Sequence, residues 1–280
     1  MRKHQQFASE RIMIMAAPNG ARRSRADHPA LPMTADELAL CAAALLDAGA
    51  SVLHLHVRDG EGRHTLAPDA YRDAIRHIRR ETGDGLILQI TTESVGEYAA
   101  DEQMALVKEL RPEAVSLALR ELYPDSHGET QAADFFAWLV SERIWPQYIL
   151  YSAEEMRRFE GLRRRGVFAE EHPSCLLVLG RYADRQQGDP EELQAMLSAA
   201  DCDLFPWSAC CFGRHEQEAM LVALEKGGHV RIGFENNLLL ADGSRASDNA
   251  ALISQFTAAA RKSARRPASA DEVRAALTAG

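Results

Sequence analysis

The segment SVLHLHVRDG, residues 51–60, sets two histidines, His54 and His56, into a short apolar run of strand character. Successive side chains along a strand point to opposite faces, so His54 and His56 share one face while Leu53, Leu55 and Val57 take the other. Burying two imidazoles is costly unless they gain partners. Which partners they gain depends on how the neighbouring strands are arranged.

Working outward, β-rich runs alternate with amphipathic stretches along the chain. Strands are expected at 12–18, 51–57, 85–92, 113–119, 145–151, 174–180, 202–210 and 229–235. Helices are expected after each, near 35–48, 68–80, 99–109, 131–142, 153–165, 190–198, 214–226 and 247–261. Thr34 with Glu37, Ser152 with Glu155 and Ser269 with Glu272 each match the S/T-x-x-E capping box that opens a helix. The last announces an extra C-terminal helix at about 269–278. Strict strand–helix alternation predicts parallel βαβ units, most simply an α/β fold of the (β/α)8 TIM-barrel type, in one domain with its core at about 11–262. A doubly wound open sheet is the alternative.

Composition narrows the function classes. The 280 residues are 46% hydrophobic and 26% charged, as in ordinary globular proteins. A formal net charge of −9 argues against nucleic-acid binding, since there is no basic excess to neutralise phosphates. The arginine clusters (Arg22, Arg23 and Arg25; Arg157 and Arg158; Arg163, Arg164 and Arg165) read as solvated surface. Five cysteines without CxxC spacing, no secretory h-region and no apolar run near the roughly 18 residues of a membrane span predict a cytoplasmic protein with reduced thiols. Adjacent Cys210 and Cys211 read as small buried hydrophobes, and Trp145 and Trp207 as core. His215 and His229, which flank the seventh helix, read as capping or pairing there. Neither GxGxxG nor GxxxxGK[ST] occurs.

In an α/β barrel, function gathers at the C-terminal ends of the strands. His54 and His56 close the second strand. Thr91 and Thr92 close the third, with Glu93, Ser94 and Glu97 beyond. Ser116 lies in the fourth, Arg231, Glu235 and Asn236 along and after the eighth, and Asn19 in the loop after the first. Two imidazoles on one strand face suit a divalent transition metal. A catalytic zinc takes three protein ligands and keeps an open position, and Glu235 is the natural third ligand, because barrel closure makes strands eight, one and two neighbours. The bland alternative is a pair of core histidines hydrogen-bonded to backbone or carboxylate.

With these residues assembled, the chain resembles the β-keto acid cleavage enzymes, of which 3-keto-5-aminohexanoate cleavage enzyme is the named member. The resemblance runs from about residue 11 to the C-terminus and is carried most specifically by HLHVRD and GGHVRIGFE. AAPNGARRSRADHPALPMTADEL, LILQITTESVGE, VLG and SDNAAL support it. It implies a (β/α)8 barrel that binds one zinc per chain through His54, His56 and Glu235. The implied reaction is acyl transfer between a β-keto acid and acetyl-CoA, the cosubstrate, giving acetoacetate and a CoA thioester. It also implies a homo-oligomer, a tetramer being favoured, with no nucleic-acid or membrane partner. Carried over by position, Arg231, Asn236 and Thr91 fall at catalytic places, and Thr91, Thr92, Ser116, Arg231 and Asn19 at substrate-binding ones.

The departures are specific. Thr91 stands where the family usually has serine. Arg22 replaces an acid in the first loop, and Pro146-Gln147-Tyr148-Ile149 lacks the acids that follow the proline in the family. The loop Gly180-Arg181-Tyr182-Ala183-Asp184 is unlike the family's glycine-rich stretch. Asn236 replaces the aspartate that pairs with the strand-eight arginine, and an amide is no carboxylate base. Glu93 and Glu97 are the loop carboxylates left to act as base. The losses predict a neutral, apolar or anionic β-keto acid rather than a cationic one. Two other readings stay open: another metal-assisted lyase, aldolase or hydrolase on the same barrel, or a barrel that binds metal or a small acid without turnover. An amidohydrolase is disfavoured, because there the H-x-H pair belongs to the first strand and later strands add further histidines.

Overall fold

The structure is a computed structural model that describes residues 3–123 and 128–278. Eight parallel strands close into a barrel: β1 (Ile14–Ala16), β2 (Val52–Leu55), β3 (Ile87–Thr91), β4 (Ala114–Ala118), β5 (Trp145–Leu150), β6 (Ser174–Leu179), β7 (Trp207–Cys211) and β8 (His229–Ile232). Each strand pairs with its neighbour in sequence, and β8 pairs with β1. The open-sheet alternative is thereby excluded.

Among the described residues a longer helix follows each strand: α1 (Ala35–Asp47), α2 (Pro68–Thr82), α3 (Ala100–Leu110), α4 (Glu129–Ser141), α5 (Ala153–Arg164), α6 (Pro190–Leu197), α7 (Glu216–Glu225) and α8 (Asn249–Ala260), with a short helix, Leu119–Leu122, between β4 and α4. The capping boxes of Thr34 and Ser269 form in full. Ser152 caps α5, but the Glu155 carboxylate turns to the Tyr151 N–H and to Arg120 instead of closing the box. Among the described residues, no helix is long and apolar enough to cross a membrane.

Period-2 alternation decides what goes where. Leu53, Leu55 and Val57 pack outward with the helices in the large core, while Val52 and His54 point into the barrel. At the N-terminal end of the barrel, Met13, Met15, Val52, Ile87, Ala114 and Trp145 form a dry floor. Ala268, Ala270 and Val273 of the C-terminal segment pack beneath it, with Phe7 of an N-terminal helix, Lys3–Glu10, alongside. That helix was not foreseen. His229, read as capping or pairing at the seventh helix, instead accepts a hydrogen bond from the Met13 N–H at 3.1 Å here, whereas His215 does pair at that helix, with Glu218 at 3.2 Å.

Two elements end differently from their sequence reading. The run 51–57 splits after Leu55, and Val57–Arg58 forms a hairpin with His64–Thr65. In the seventh candidate the first residues, Cys202–Leu204, coil into a 3-10 turn and the strand starts at Trp207. Trp207 lies over Gly228, where a Cβ would come within 2.2 Å of its ring. The five cysteines are free thiols, with Cys210 and Cys211 fully buried.

Candidate metal centre and substrate pocket

Register builds the site. On β2, His54 stands level with Gln89 of β3; Thr91 stands level with Ser116 of β4, and Ser116 with Gln147 of β5. His56 follows β2 on the same inward side. Closure of β8 onto β1 then swings Glu235 across the first strand toward both imidazoles. Gly233 (φ +149°) permits that path: a Cβ there would sit 2.3 Å from the Ala17 carbonyl oxygen. Gly20 (φ +60°) clears the other side, where a Cβ would meet Glu235 Cγ at 2.6 Å.

Three ligand atoms converge. His54 Nε2 and His56 Nε2 are 3.1 Å apart, and Glu235 Oε2 lies 3.5 Å from the first and 3.4 Å from the second. A tetrahedral centre with metal–ligand bonds near 2.0–2.1 Å has edges of about 3.3 Å, so the spacing matches a zinc set. His54 Nδ1–H donates to Gln89 Oε1 at 2.9 Å, which leaves its Nε2 lone pair facing His56. Glu235 Oε2 is buried without a hydrogen-bond partner, as is His56 Nδ1. Lone pairs and a carboxylate oxygen gathered this way repel one another unless a cation lies between them, so these residues fit a divalent metal.

The electrostatics agree. Burial pushes both imidazoles down to about 4, so they are neutral ligands at neutral pH. Burial opposes ionisation of Glu235, but the Arg231 guanidinium holds its carboxyl well below the usual carboxylate range. Arg231 is itself buried, and its Nη2 donates to Glu235 Oε1 at 3.0 Å, to Asn236 Oδ1 at 3.3 Å and to Cys210 Sγ at 3.3 Å. Its Nε has no partner.

Above this candidate ligand set opens a pocket of about 380 Å³. Its polar wall carries His54, Thr91, Ser116, Arg231 and Glu235; its apolar wall is Ala118, Ile149, Val178 and Phe212. Thr91 Oγ1 accepts from the Glu93 N–H at 3.0 Å, which leaves its own hydroxyl proton free to donate. At the mouth, Arg181 pairs with Glu93 at 3.1 Å. A second hollow of about 300 Å³ shares that pair and adds Asn19, Arg22 and Arg23.

Most of the residues singled out from sequence come together, but three serve other ends. Thr92 is absent from the pocket wall and donates its hydroxyl to the Ser116 carbonyl, tying β3 to β4. Asn19 is a clamp, donating to the Pro32 and His56 carbonyls at 3.1 Å each, while its buried Oδ1 stays unpartnered beside the second hollow. Asn236 lies behind Arg231 rather than in the pocket wall. Glu97 is exposed and does not line the pocket, which leaves Glu93 as its one carboxylate besides Glu235 among the described residues. Arg23, read as solvated, is partly buried and donates to the Asn236 carbonyl at 3.2 Å. Arg58 reaches back to the Gly20 carbonyl and so holds the first loop against Glu235.

Sequence reasoning missed a buried amide chain. Gln89 Nε2 donates to Gln147 Oε1 at 3.3 Å, and Gln147 Nε2 to Ser208 Oγ at 3.3 Å, crossing the barrel behind His54. The signal was available: Gln89 is two residues before Thr91 and therefore shares its inward face.

The sequence profile of the beta-keto acid cleavage enzyme family matches residues 11–278. The 3-keto-5-aminohexanoate cleavage enzyme of Fusobacterium nucleatum is 28% identical over 276 residues, covering 96% of this chain and 98% of that one. The 3-oxoadipate:acetyl-CoA acetyltransferase of Cupriavidus necator is 27% identical over 274 residues, covering 95% and 94%. Among solved structures, the binary complex of ObcA with oxaloacetate superposes with a TM-score of 0.71 at 17% identity, covering 89% of this chain and 67% of that one, a likeness of fold.

Proposed function

The chain belongs to the beta-keto acid cleavage enzyme family, and on that footing we propose that it is a zinc-dependent acyltransferase that exchanges an acyl group between a β-keto acid and acetyl-CoA. The observation that carries this reading is the convergence of His54 Nε2, His56 Nε2 and Glu235 Oε2 at the base of a pocket walled by Thr91, Ser116 and Arg231. Relatives named for acetyl-CoA-dependent transfer support the reaction class.

A zinc ion held by these three residues would supply Lewis acidity toward a carbonyl oxygen of the substrate. The chain's own groups do the rest. The Arg231 guanidinium, the Thr91 hydroxyl and Ser116, all in the pocket lining, hold the carboxylate and orient the keto acid. Because its Nη2 is tied to Glu235, Asn236 and Cys210, Arg231 is held in place before substrate arrives. Glu93 is the proton acceptor, taking a proton from the carbon between the keto and carboxylate groups, which then attacks the thioester carbonyl as CoA thiolate leaves. Its carboxylate lines the pocket, and Arg181 holds it at the mouth.

The pocket wall also supports a substrate class. The two carboxylates of the lining, Glu235 and Glu93, are each already paired with an arginine, which leaves none free for an ammonium group, while Arg22, Arg23 and Arg181 stand nearby. We therefore assign a neutral, apolar or anionic β-keto acid. The test is acetyl-CoA-dependent formation of acetoacetate from a panel of keto acids by zinc-loaded protein, with His54→Ala as control. Turnover that is lost in the control supports the reading. Silence across the panel at one zinc per chain, or fastest turnover of a cationic amino-keto acid, goes against the reaction or the substrate class respectively.

A further inference from the structure

The segment after β8 that carries Glu235 is held from behind by one buried acid. Glu216, the first residue of α7, is 2% exposed. Its Oε1 accepts from the Gly233 N–H at 3.1 Å and from Asn236 Nδ2 at 3.3 Å, and its Oε2 accepts from Asn237 Nδ2 at 3.3 Å. All three donors belong to the segment 233–237. Asn236 is therefore a two-sided link. Its oxygen faces a cation, accepting from Arg231 Nη2 at 3.3 Å, and its nitrogen faces the Glu216 carboxyl.

That arrangement explains the amide. An aspartate at 236 would satisfy Arg231 but would lose both N–H bonds of the amide, to the Glu216 carboxyl and to the Arg231 carbonyl, and would set two carboxyl groups against each other at hydrogen-bond distance. An asparagine satisfies both neighbours. We infer that Glu216 carries, one hydrogen bond further from the pocket, the carboxyl group that Asn236 lacks, and that it acts through Asn236 as a positioning residue for Arg231. The chain Arg231–Asn236–Glu216 then keeps the guanidinium anchored on its inner side, so that its pocket-lining edge stays turned to the bound acid. This inference rests on the functional reading given above, in which Arg231 holds the keto acid.

The experiment is a double-variant cycle with acetoacetate as probe, its binding measured by calorimetry on the zinc-loaded chain without acetyl-CoA. Zinc content and thermal melting are followed in parallel. Asn236→Asp and Glu216→Gln should each weaken acetoacetate binding by about tenfold or more at unchanged zinc content. The double variant, which exchanges acid and amide across the same hydrogen bond, should return affinity to within about threefold of the parent. A general loosening of the fold would lower melting in all three without restoring affinity in the double. Losses that multiply in the double variant, or parent-like affinity in both singles, overturn the inference. No acetoacetate binding by the parent overturns the functional reading and this inference with it. If Asn236→Asp does not fold, Glu216→Asp, which keeps the charge but withdraws the carboxyl, takes its place: weaker binding is required, and parent-like affinity refutes the inference.

Discussion

Replacing Gln89 by leucine removes the acceptor that fixes His54 while nearly conserving volume. In the parent, Gln89 Oε1 accepts from His54 Nδ1 at 2.9 Å, and Gln89 Nε2 donates to Gln147 Oε1 at 3.3 Å. Leucine leaves the His54 N–H and the Gln147 carbonyl oxygen unpaired in a site where both side chains are buried. Each orphaned group costs about 1–3 kcal/mol, so the folded state should lose about 2–6 kcal/mol. The His54 ring then has no bond holding the tautomer that presents Nε2, and loss of such a support lowers metal affinity by about 10–100-fold. Competition against a chromophoric chelator measures zinc affinity, and urea denaturation of the metal-free protein measures stability. Gln89→Glu, which keeps an acceptor at His54 but withdraws the donor from Gln147, should retain zinc far better than the leucine variant. Zinc affinity of the leucine variant within about twofold of the parent would falsify the idea that the amide chain orients the ligand.

Four other outcomes follow from named contacts. Gly20→Ala, with φ +60° and a Cβ only 2.6 Å from Glu235 Cγ, should displace the carboxylate and weaken zinc binding by about tenfold or more; unchanged affinity would show that the first loop yields freely. Glu93→Gln should lower kcat by about 10²–10⁴-fold with little change in acetoacetate affinity, whereas parent-like kcat would remove Glu93 as proton acceptor. Ile149→Glu places a carboxylate in the apolar wall and should shift the keto-acid panel toward amine-bearing substrates; a panel of unaltered rank order would count against that wall as the selector. His229, which burial pushes down from 6.5 to about 3, stays neutral in the fold while the unfolded chain takes up a proton. Its folded pKa is depressed, so its contribution to stability is present above about 6.5 and is lost as pH falls toward 3. His229→Gln should flatten the melting-temperature slope in that window, and an undiminished slope would assign the acid sensitivity elsewhere.

The barrel was legible because its strands and helices carry the two periodicities cleanly and its helix starts are chemically marked, as at Thr34 and Ser269. The convergence of His54, His56 and Glu235 was legible for a different reason: H-x-H fixes a shared face, and closure of β8 onto β1 brings Glu235 near it. What stayed hidden depends on contacts between residues far apart in sequence. Nothing near Glu216 announces that its carboxyl will gather three N–H donors from residues 233–237, and nothing near Thr92 announces that its hydroxyl will serve the β4 backbone. Arg23 was read as solvated because charge in a polar loop usually is; the loop's fold onto the segment after β8 decides otherwise. The N-terminal helix was missed because its apolar residues are few and it leans on the C-terminal segment rather than on the barrel's helical ring.

The dry floor has a kinetic meaning. Met13, Met15, Val52, Ile87, Ala114 and Trp145 are at most 5% exposed and close the lower end, so the barrel is a cul-de-sac with its traffic at the upper rim. For the proposed exchange, two reactants and two products queue at one doorway. The small keto acid, whose anchor points lie deepest, must take its place before the bulky thioester stands in the opening, and nothing released beneath the thioester departs until the doorway clears. Order of arrival and departure is then imposed by the plumbing of the molecule, whatever the chemistry at its blind end.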